Sequence, residues 1–518
     1  MFQIHGKPFL MLAGEVHNSS SSSLEAMETA WEKAAQLGLN AVLLPVTWEL
    51  IEPEEGRLEF ALVDGLIAEA RKRNLKLGFL WFGAWKNAQC MYAPEWVKTD
   101  LNRFRRAEVV RGERKTQISS FHGMAYTTLS AFCEETLRAD KRAFAALMRH
   151  LREVDEREHT VVYMQVENES GLLGAAREHS EEADRLFAGA VPQDLADCMK
   201  AHADTMREDV RAAVEGGAAS GTWTEVFGAA AEEIFQSYYV ASYIDAVAAA
   251  GKAEYDLPMA VNAWLEQGEP GHYPSGGPVG KLLELWQYAA PHIDILCPDI
   301  YVRHFCDVCD EFHRIENPLM IPETATHSHA GPRLVYTVGH HHAWGFAPFG
   351  FEEMGDPIDA SMGFLFGMDA DDPLLRVSQN PEEYAWYNRT LEAMTPLLAE
   401  AYGTNRLQAV ISEREENSMR FGDFVITAMM NTPLITRKDG VCLALQTAEN
   451  EFFLIANACA IMLGSANPEK PHVDLLELED GAFVDGKWVM HRRLNGDEAQ
   501  LMQYQKPTLL RVKAFAYA

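Results

Sequence analysis

Apolar segments that alternate with helical segments predict an α/β protein, with a (β/α)8 barrel over residues 1–400. Eight segments have strand character, and they lie at 8–16, 39–46, 75–84, 160–168, 257–262, 293–299, 318–323 and 344–349. Parallel strands need connections of about a dozen residues or more, and helical patterns follow most of these segments. Eight strand–helix units over this length fit a closed barrel with enlarged loops better than an open sheet.

The helices are predicted from apolar residues that recur every three or four positions. They lie at 24–37, 61–73, 139–157, 229–250, 279–290, 305–315, 331–340 and 381–400. In the first, Leu24 and Trp31 fall on one face and Gly38 ends the helix. Two connections, 86–135 and about 175–225, are longer than a barrel needs. Long connections of this kind are usually functional, and we expect both to narrow a groove into a pocket.

The pattern changes after residue 403. Residues 404–518 alternate short apolar runs with turn residues, for example Glu-Phe-Phe-Leu-Ile-Ala at 451–456 and Asp-Gly-Ala-Phe-Val-Asp-Gly-Lys-Trp at 480–488. Such spacing is typical of antiparallel strands. The sequence therefore predicts a barrel domain at 1–400 and a small β-sandwich domain at 404–518.

The charge balance excludes some classes of partner. The chain of 518 residues has 45 Lys and Arg against 76 Asp and Glu, which gives a net charge of −31. A surface this acidic argues against nucleic acid and against anionic membranes as partners. No apolar run reaches the ~18 residues of a membrane span, and the N-terminus lacks the pattern of a secretory leader. We therefore expect a cytoplasmic protein with reduced cysteines, and a homo-oligomer is compatible with the sequence.

Carboxylates stand at the ends of two predicted strands. Residues 160–171 read Thr-Val-Val-Tyr-Met-Gln-Val-Glu-Asn-Glu-Ser-Gly, an apolar run that ends in Glu-Asn-Glu at 167–169. The run Leu-Met-Ile-Pro-Glu likewise delivers Glu323. Buried unpaired carboxylates are very costly, and active sites of barrels form at the C-terminal ends of the strands. Two such acids are the minimum equipment for glycoside hydrolysis.

The other strand ends add carboxylates, amides and aromatic rings. These are Glu15, His17, Trp48, Glu49, Trp81, Trp85, Lys86, Asn87, Asn262, Trp264, Asp299, Tyr301 and Phe349. Carboxylates and amides hydrogen-bond sugar hydroxyls, and tryptophan faces stack on sugar rings. The candidates for sugar binding are Trp48, Trp85, Asn87, Asn262 and Tyr301, together with Asn168. Any one of them alone could be a helix cap or a loop residue, but their repetition at one end of the strands favours a binding site.

The chain resembles a known family in the same regions. Gln165-Val-Glu-Asn-Glu-Ser-Gly resembles the Gln-Ile-Glu-Asn-Glu-Tyr-Gly motif of family 35 β-galactosidases, in the clan of retaining glycosidases with barrel folds. Leu39-Asn-Ala-Val-Leu-Leu-Pro-Val-Thr-Trp-Glu and Glu52-Pro-Glu-Glu-Gly-Arg-Leu-Glu-Phe resemble that family's second-strand region. The resemblance covers about residues 8–350, and residues 404–518 resemble the accessory β domain of one bacterial branch.

The resemblance implies a retaining exo-glycosidase, of β-galactosidase type, that needs neither a metal nor an organic cofactor. Glu169 would be the acid/base, Glu323 the nucleophile, Asn168 the contact to the sugar 2-hydroxyl and Tyr301 a neighbour of the nucleophile. The segment Gly83-Ala-Trp-Lys-Asn departs from the Cys-Ala-Glu-Trp segment with which the family usually recognises galactose. The carbohydrate substrate is therefore expected, while the exact sugar stays open.

Several alternatives remain at this point. Glu167 rivals Glu169 because residues two apart on a strand share a face, although the preceding Asn168 favours Glu169. A catalytically silent carbohydrate-binding protein and an endo-acting polysaccharide hydrolase are the alternative functions. Retention of both Glu169 and Glu323 argues against the silent protein.

Two histidine-containing segments suggest metal binding. His304, Cys306, Cys309 and His313 have zinc-like spacing, but the segment has the pattern of a single helix, in which residues 306 and 309 share a face anyway. The triplet at 340–342, three consecutive histidines, is interpreted as the end of a helix, with a sugar contact as the alternative.

Overall fold

The computed structural model describes residues 1–121, 123–358, 376–433 and 435–518. Eight strands form a closed barrel in which all neighbours are parallel. In chain order they are β1 (Met11–Glu15), β2 (Ala41–Thr47), β3 (Lys76–Lys86), β4 (Val161–Asn168), β5 (Met259–Trp264), β6 (Ile295–Ile300), β7 (Met320–Thr324) and β8 (Gly345–Pro348). The predicted (β/α)8 barrel is confirmed, and each strand lies within about two residues of its predicted segment, except at the N-terminus of β1, where residues 7–9 pair separately with residues 2–4.

Helices connect the strands on the outside of the barrel. The main ones are α1 (Glu28–Gln36), α2 (Ala61–Lys72), α3 (Glu134–Asp155), α4 (Ala231–Lys252), α5 (Leu283–Ala289), α6 (Phe305–His313), α7 (Ala330–His340) and α8 (Pro381–Ala401). Their apolar faces pack on the outer faces of the strands, in one large core that includes Trp31, Phe144, Ile244 and Leu334. The helices end at the N-terminal mouth of the barrel, so the loops after the strands build the opposite mouth.

The two long connections differ in structure. After β3 the chain forms a short helix, Glu95–Thr99, and paired short strands at Val109–Arg111 with Arg114–Thr116 and at Ser119–Phe121 with Met124–Tyr126. After β4 the connection is a set of short helices. They are Glu181–Phe187, Gln193–Ala201, Glu208–Gly216 and Trp223–Phe227.

The C-terminal region forms two antiparallel sheets. The strands are β9 (Leu407–Ile411), β10 (Ser418–Phe421), β11 (Phe424–Met429), β12 (Val441–Ala448), β13 (Glu451–Asn457), β14 (Cys459–Ser465), β15 (His472–Val484), β16 (Lys487–Arg493), β17 (Gln503–Tyr504) and β18 (Thr508–Tyr517). The larger sheet has the order β9-β12-β13-β18-β15-β16 and the smaller one β10-β11-β14-β17. Apolar side chains of both sheets, such as Ile426 and Leu454, share one core, as in a sandwich.

The sandwich packs on the barrel through the outer face of its larger sheet. Leu443 and Ile455 belong to the same apolar core as the barrel helices. A Cβ on Gly339 of α7 would lie 2.6 Å from Ala409 Cβ of β9, so glycine permits the close approach. None of the helices in the described ranges combines the length and the apolarity that a membrane crossing requires.

Candidate active site

A cavity of about 330 Å³ lies at the C-terminal mouth of the barrel. Its described lining residues are His17, Asn18, Lys86, Asn87, Gln89, Tyr126, Glu169, Trp264, Leu265, Gln267, Asp299, Tyr301, Val302, Glu323 and Phe349. The connection 86–135 contributes four of these side chains, as expected for a loop that closes a pocket. The second connection, 175–225, contributes none of the described lining residues, so the expectation that it narrows the site is wrong.

Strand register explains why three polar side chains converge. Asp299 of β6 lies opposite Glu323 of β7, and Trp264 of β5 lies opposite Asp299. Residues opposite each other point to the same face, and so does Asn262, two positions before Trp264. Asn262 Nδ2 therefore donates to Asp299 Oδ2 at 2.8 Å and to Glu323 Oε1 at 3.2 Å.

Glu323 is held as a hydrogen-bond acceptor. Besides Asn262, Asn168 Nδ2 donates to Glu323 Oε1 at 3.2 Å and the Tyr301 hydroxyl donates to Oε2 at 2.9 Å. Burial raises the pKa of Tyr301 well above its usual value, so the phenol keeps its proton and remains a donor. Three neutral donors thus hold the Glu323 carboxyl group in place at the cavity.

Glu169 reaches the cavity from an irregular end of β4. The register to β3 shifts between Val166 and Asn168, and Glu167 and Glu169 both have left-handed backbones, with φ of 64° and 42°. Such conformations cost energy in non-glycine residues and cluster at functional sites. The turn after β3 holds Glu169 in this position, because Asn87 Nδ2 donates to Glu169 Oε2 and Ala88 N donates to Glu169 O at 3.0 Å.

The register shift at the end of β4, a β-bulge, also places Glu167 in a different environment from Glu169. Glu167 turns away from the cavity into full burial, where its Oε2 accepts from Trp85 N at 2.7 Å. It lies beside Asp140 of α3, which accepts hydrogen bonds from Trp81 Nε1 and the Tyr243 hydroxyl, both at 2.9 Å. Burial, reinforced by Asp140, raises the pKa of Glu167 well above its usual value, so Glu167 is protonated. Residues 167 and 169 therefore do not share a face here, although residues two apart on a regular strand do.

The acids that face the cavity have unlike environments. One carboxylate oxygen from each of Glu169, Asp299 and Glu323 lies within 4.8 Å of the others. Burial raises the pKa of Glu169 to about 7, and the Glu323 charge adds to the shift. Burial and the same neighbour raise the pKa of Asp299 well above its usual value. Glu169 is thus a proton donor near neutral pH, and Glu323 is the acid with the full set of donors.

Two predicted sugar-binding residues lie elsewhere. Trp48 is fully buried, donates to Glu52 and packs on Trp96. Trp85 is buried against Tyr243. Neither belongs to the described lining of the cavity, so direct stacking of these rings on a sugar is wrong for this structure. Among the described lining residues the tryptophan is Trp264.

The remaining predicted residues gather at one place. Asn87, Tyr301, Glu169 and Glu323 line the cavity, while Asn168 and Asn262 contact the two glutamates directly. The residues predicted to bind sugar or to act in catalysis did not include several other lining residues, among them Lys86, Asp299, Gln89, Tyr126, His17 and Asn18. Lys86, Asp299 and His17 stood among the strand ends, whereas Gln89 and Tyr126 come from a loop whose path no local pattern reveals.

Metal-ligand groups converge at two places among the described residues. One is the buried set Glu169, Asp299 and Glu323, which could hold a divalent cation through oxygen atoms. The other comprises Asp310, His340 and His341, at the base of the sandwich. The sequence candidates Cys306 and Cys309 belong to neither set, and both are core residues of α6.

The histidine triplet at 340–342 does not approach the cavity. His340 Nδ1 lies 3.3 Å from Ala409 O, and His342 Nε2 lies 3.3 Å from Leu407 O, both in β9. The triplet therefore joins the end of α7 to the sandwich, and the alternative of a sugar contact is wrong.

Comparisons with known proteins leave the family of this chain open. The family model that matches is a domain of unknown function, DUF5597, at residues 385–504. No curated protein matches the chain. The fold is similar to the cold-adapted β-galactosidase from Rahnella sp. R3, with 12% identity, a TM-score of 0.47, 75% of this chain covered and 56% of that one. This chain therefore spans little more than half the length of that enzyme.

Two other solved structures match this chain over a larger share of their own length. The β-galactosidase from Bacillus circulans sp. alkalophilus is 10% identical, with a TM-score of 0.47, 97% of this chain covered and 99% of that one. The catalytic domain of β-amylase from Paenibacillus polymyxa is 11% identical, with a TM-score of 0.46, 67% of this chain covered and 93% of that one.

Proposed function

We propose that the protein is a retaining exo-glycoside hydrolase that releases a terminal sugar by double displacement. The observation that carries the proposal is the pair Glu169 and Glu323, which face one small cavity from unlike environments. Burial raises the pKa of Glu169 to about 7, whereas Glu323 receives hydrogen bonds from three neutral donors. Acid and nucleophile need this difference.

In the first step an oxygen of ionised Glu323 attacks the anomeric carbon. The bond from that carbon to the leaving oxygen breaks, and Glu169 gives its proton to that oxygen. In the second step Glu169, now ionised, takes a proton from water. The hydroxide so formed attacks the anomeric carbon and releases Glu323. The hydrogen bonds from Tyr301 and Asn262 orient the nucleophile throughout.

The size of the site supports exo action. A volume of about 330 Å³ lies at the lower end of the range for ligand pockets, and the loop 86–135 forms part of its wall. A polysaccharide-cleaving enzyme would need a groove open at both ends. The resemblance of residues 165–171 to β-galactosidases makes β-galactosides the first neutral substrates to test.

The division into a catalytic domain at 1–400 and an accessory domain at 404–518 is part of the proposal. All described lining residues lie between His17 and Phe349, so the proposed chemistry needs no group from the sandwich. Both acids are present and buried at the cavity, which supports an enzyme over a silent binding protein.

The test uses nitrophenyl glycosides of both anomers and two alanine variants with azide. In Glu169→Ala, a substrate with a good leaving group still glycosylates Glu323, and azide then gives a glycosyl azide of the same anomeric configuration. In Glu323→Ala, azide enters from the face of the missing carboxylate and gives the opposite configuration. Product configuration is read by NMR.

Glu167→Ala is the matched control, because Glu167 is a neighbouring buried glutamate that points away from the cavity. Azide should not rescue it, and its loss should be in stability or affinity. Rescue of Glu167→Ala with retention would place the acid/base two residues earlier. Ordinary activity in both Glu169→Ala and Glu323→Ala would refute the proposed function.

A further inference from the structure

Lys86 is a buried lysine that lines the cavity. It is the last residue of β3 and lies opposite Asn168 in the register with β4. Its side chain is 5% exposed, and its ammonium lies 5.2 Å from the centre of the Phe82 ring. Among the described lining residues it is the one lysine or arginine.

The Lys86 ammonium has no anionic partner within the described parts of the chain. No carboxylate oxygen lies within 4.0 Å of it and no described group accepts a hydrogen bond from it. The other buried lysine, Lys281, shows the usual arrangement, with Glu233 at 2.7 Å and Glu266 at 3.4 Å. A buried charge without a partner is costly, so Lys86 is placed where a ligand can supply the missing partner.

The acids of the site do not fill that role. Glu323 is already engaged by Asn168, Asn262 and Tyr301. Burial raises the pKa of Glu15, Glu169 and Asp299, which shifts these acids toward the neutral form. The surroundings of Lys86 are therefore less negative than four ionised carboxylates would make them, which weakens the repulsion that an anionic group meets there.

We propose that Lys86 binds the carboxylate of a terminal uronic acid, so that the sugar taken at this site is a hexuronide rather than a neutral hexoside. The inference rests on the proposed glycosidase function and names its substrate class. A carboxylate bound to an ammonium forms a charge-assisted hydrogen bond, about twice as strong as one to a neutral hydroxyl. One ammonium with no arginine beside it suits a carboxylate, since phosphate groups are usually held by several cationic or backbone donors.

The test compares nitrophenyl β-galacturonide with nitrophenyl β-galactoside, and the glucuronide with the glucoside. For the wild-type protein, kcat/KM for the acidic sugar should exceed that for its neutral counterpart roughly 10-fold to 100-fold, the worth of one charge-assisted hydrogen bond. The preference for the acidic sugar should disappear in Lys86→Met and should persist in part in Lys86→Arg. The kcat/KM for a phosphorylated galactoside is measured in the same way.

Lys252→Met is the matched control. Lys252 ends α4 and pairs with Asp294 just before β6, at the opposite mouth of the barrel, so the substrate ratio should not change. Faster hydrolysis of the neutral or the phosphorylated sugar by the wild-type protein would overturn the inference. An equal loss on acidic and neutral substrates in Lys86→Met would also overturn it.

Binding separates this inference from the proposed function. Calorimetric titration with free galacturonate and free galactose needs no turnover. Galacturonate binding that Lys86→Met abolishes, without hydrolysis of any glycoside, would refute the glycosidase function and leave the carboxylate site standing. Hydrolysis of neutral glycosides alone, with no binding of galacturonate, would do the reverse.

Discussion

At the scale of residues, the site depends on what surrounds each carboxyl group. Glu167 and Glu169 are two positions apart in the chain, yet one lies in the packing behind β4 and the other faces the cavity. Asn262 bridges the Glu169 backbone to Asp299 and Glu323, so a single amide fixes three acids relative to one another. The raised pKa of Glu169 and the hydrogen bonds that Glu323 accepts both follow from these surroundings.

We expect activity to fall as the pH rises through about 7. Burial raises the pKa of Glu169 to about 7, so the proton that the leaving group needs is present below that pH and absent above it. The pH profile of kcat/KM should lose this alkaline limb in Glu169→Gln when the leaving group needs no proton. An unchanged limb in that variant would assign the titration to another group.

We expect chelators to leave activity intact. The three acids Glu169, Asp299 and Glu323 could bind a cation, but the proposed mechanism uses Glu169 as the acid/base and Glu323 as the nucleophile, without a metal. Activity after exhaustive dialysis against EDTA should equal that of the untreated protein. A loss that zinc or magnesium restores would mean that the acid set is a metal centre.

At the scale of elements, the end of β3 supports the end of β4. Trp81 and Trp85 of β3 contact Asp140 and Glu167 through N–H groups, and Asn87 contacts Glu169. Trp85, which the sequence suggested as a sugar contact, is therefore part of the support. Gly83 makes this packing possible because it has no side chain on the crowded face.

We expect Gly83→Ala to destabilise the protein by about 1–3 kcal/mol, as overpacking of a full core does. The added Cβ would lie 2.4 Å from Trp81 Nε1 and 2.6 Å from Glu167 Oε1. Gly464→Ala in β14 is the control, since its nearest neighbour would be Val425 O at 4.0 Å. Thermal unfolding should show a lower Tm for the first variant alone. Equal Tm values would show that the pair Asp140 and Glu167 can move aside.

At the scale of the whole molecule, the sandwich is attached to the barrel by apolar packing and by ion pairs, among which Arg333–Glu413 is largely buried. Arg333 of α7 donates to both oxygens of Glu413, at 3.0 and 2.9 Å, and His329 Nδ1 lies 2.9 Å from Glu413 Oε1. None of Arg333, His329 and Glu413 belongs to the described lining of the cavity. The attachment is therefore expected to affect stability before chemistry.

We expect Glu413→Gln to lower stability near neutral pH by about 3 kcal/mol. Burial by itself raises the pKa of Glu413, but the Arg333 charge together with the hydrogen bonds from His329 and Arg333 lowers it to about 2. A lowered pKa stabilises the fold above the unfolded value, near 4.5, and this contribution is lost as the pH falls toward 2. Denaturant unfolding at neutral and acidic pH measures both effects. Exposed Glu416→Gln is the control, and an equal change in both variants would contradict the role of the ion pair.

Much of this arrangement followed from local patterns in the chain. The alternation of strand and helix segments predicted the barrel, and the turn-rich region after residue 403 predicted the sandwich. Runs such as 160–168 end in polar residues, and the C-terminal ends of parallel strands share one mouth of a barrel. That rule alone brought Asn168, Glu169, Asn262, Tyr301 and Glu323 to the site.

Tertiary structure decided what no local pattern contains. The bulge at the end of β4 sends Glu167 and Glu169 to different sides, because its left-handed residues break the alternation on which strand parity depends. The helices α3 and α4 supply Asp140 and Tyr243. Their contacts pack the end of β3 against the end of β4, where it supports the site instead of stacking on a sugar. Burial raises the pKa values of Glu169 and Asp299, and packing leaves Lys86 without an ion pair within 4.0 Å among the described residues. Both are properties of the packed barrel rather than of any segment in it.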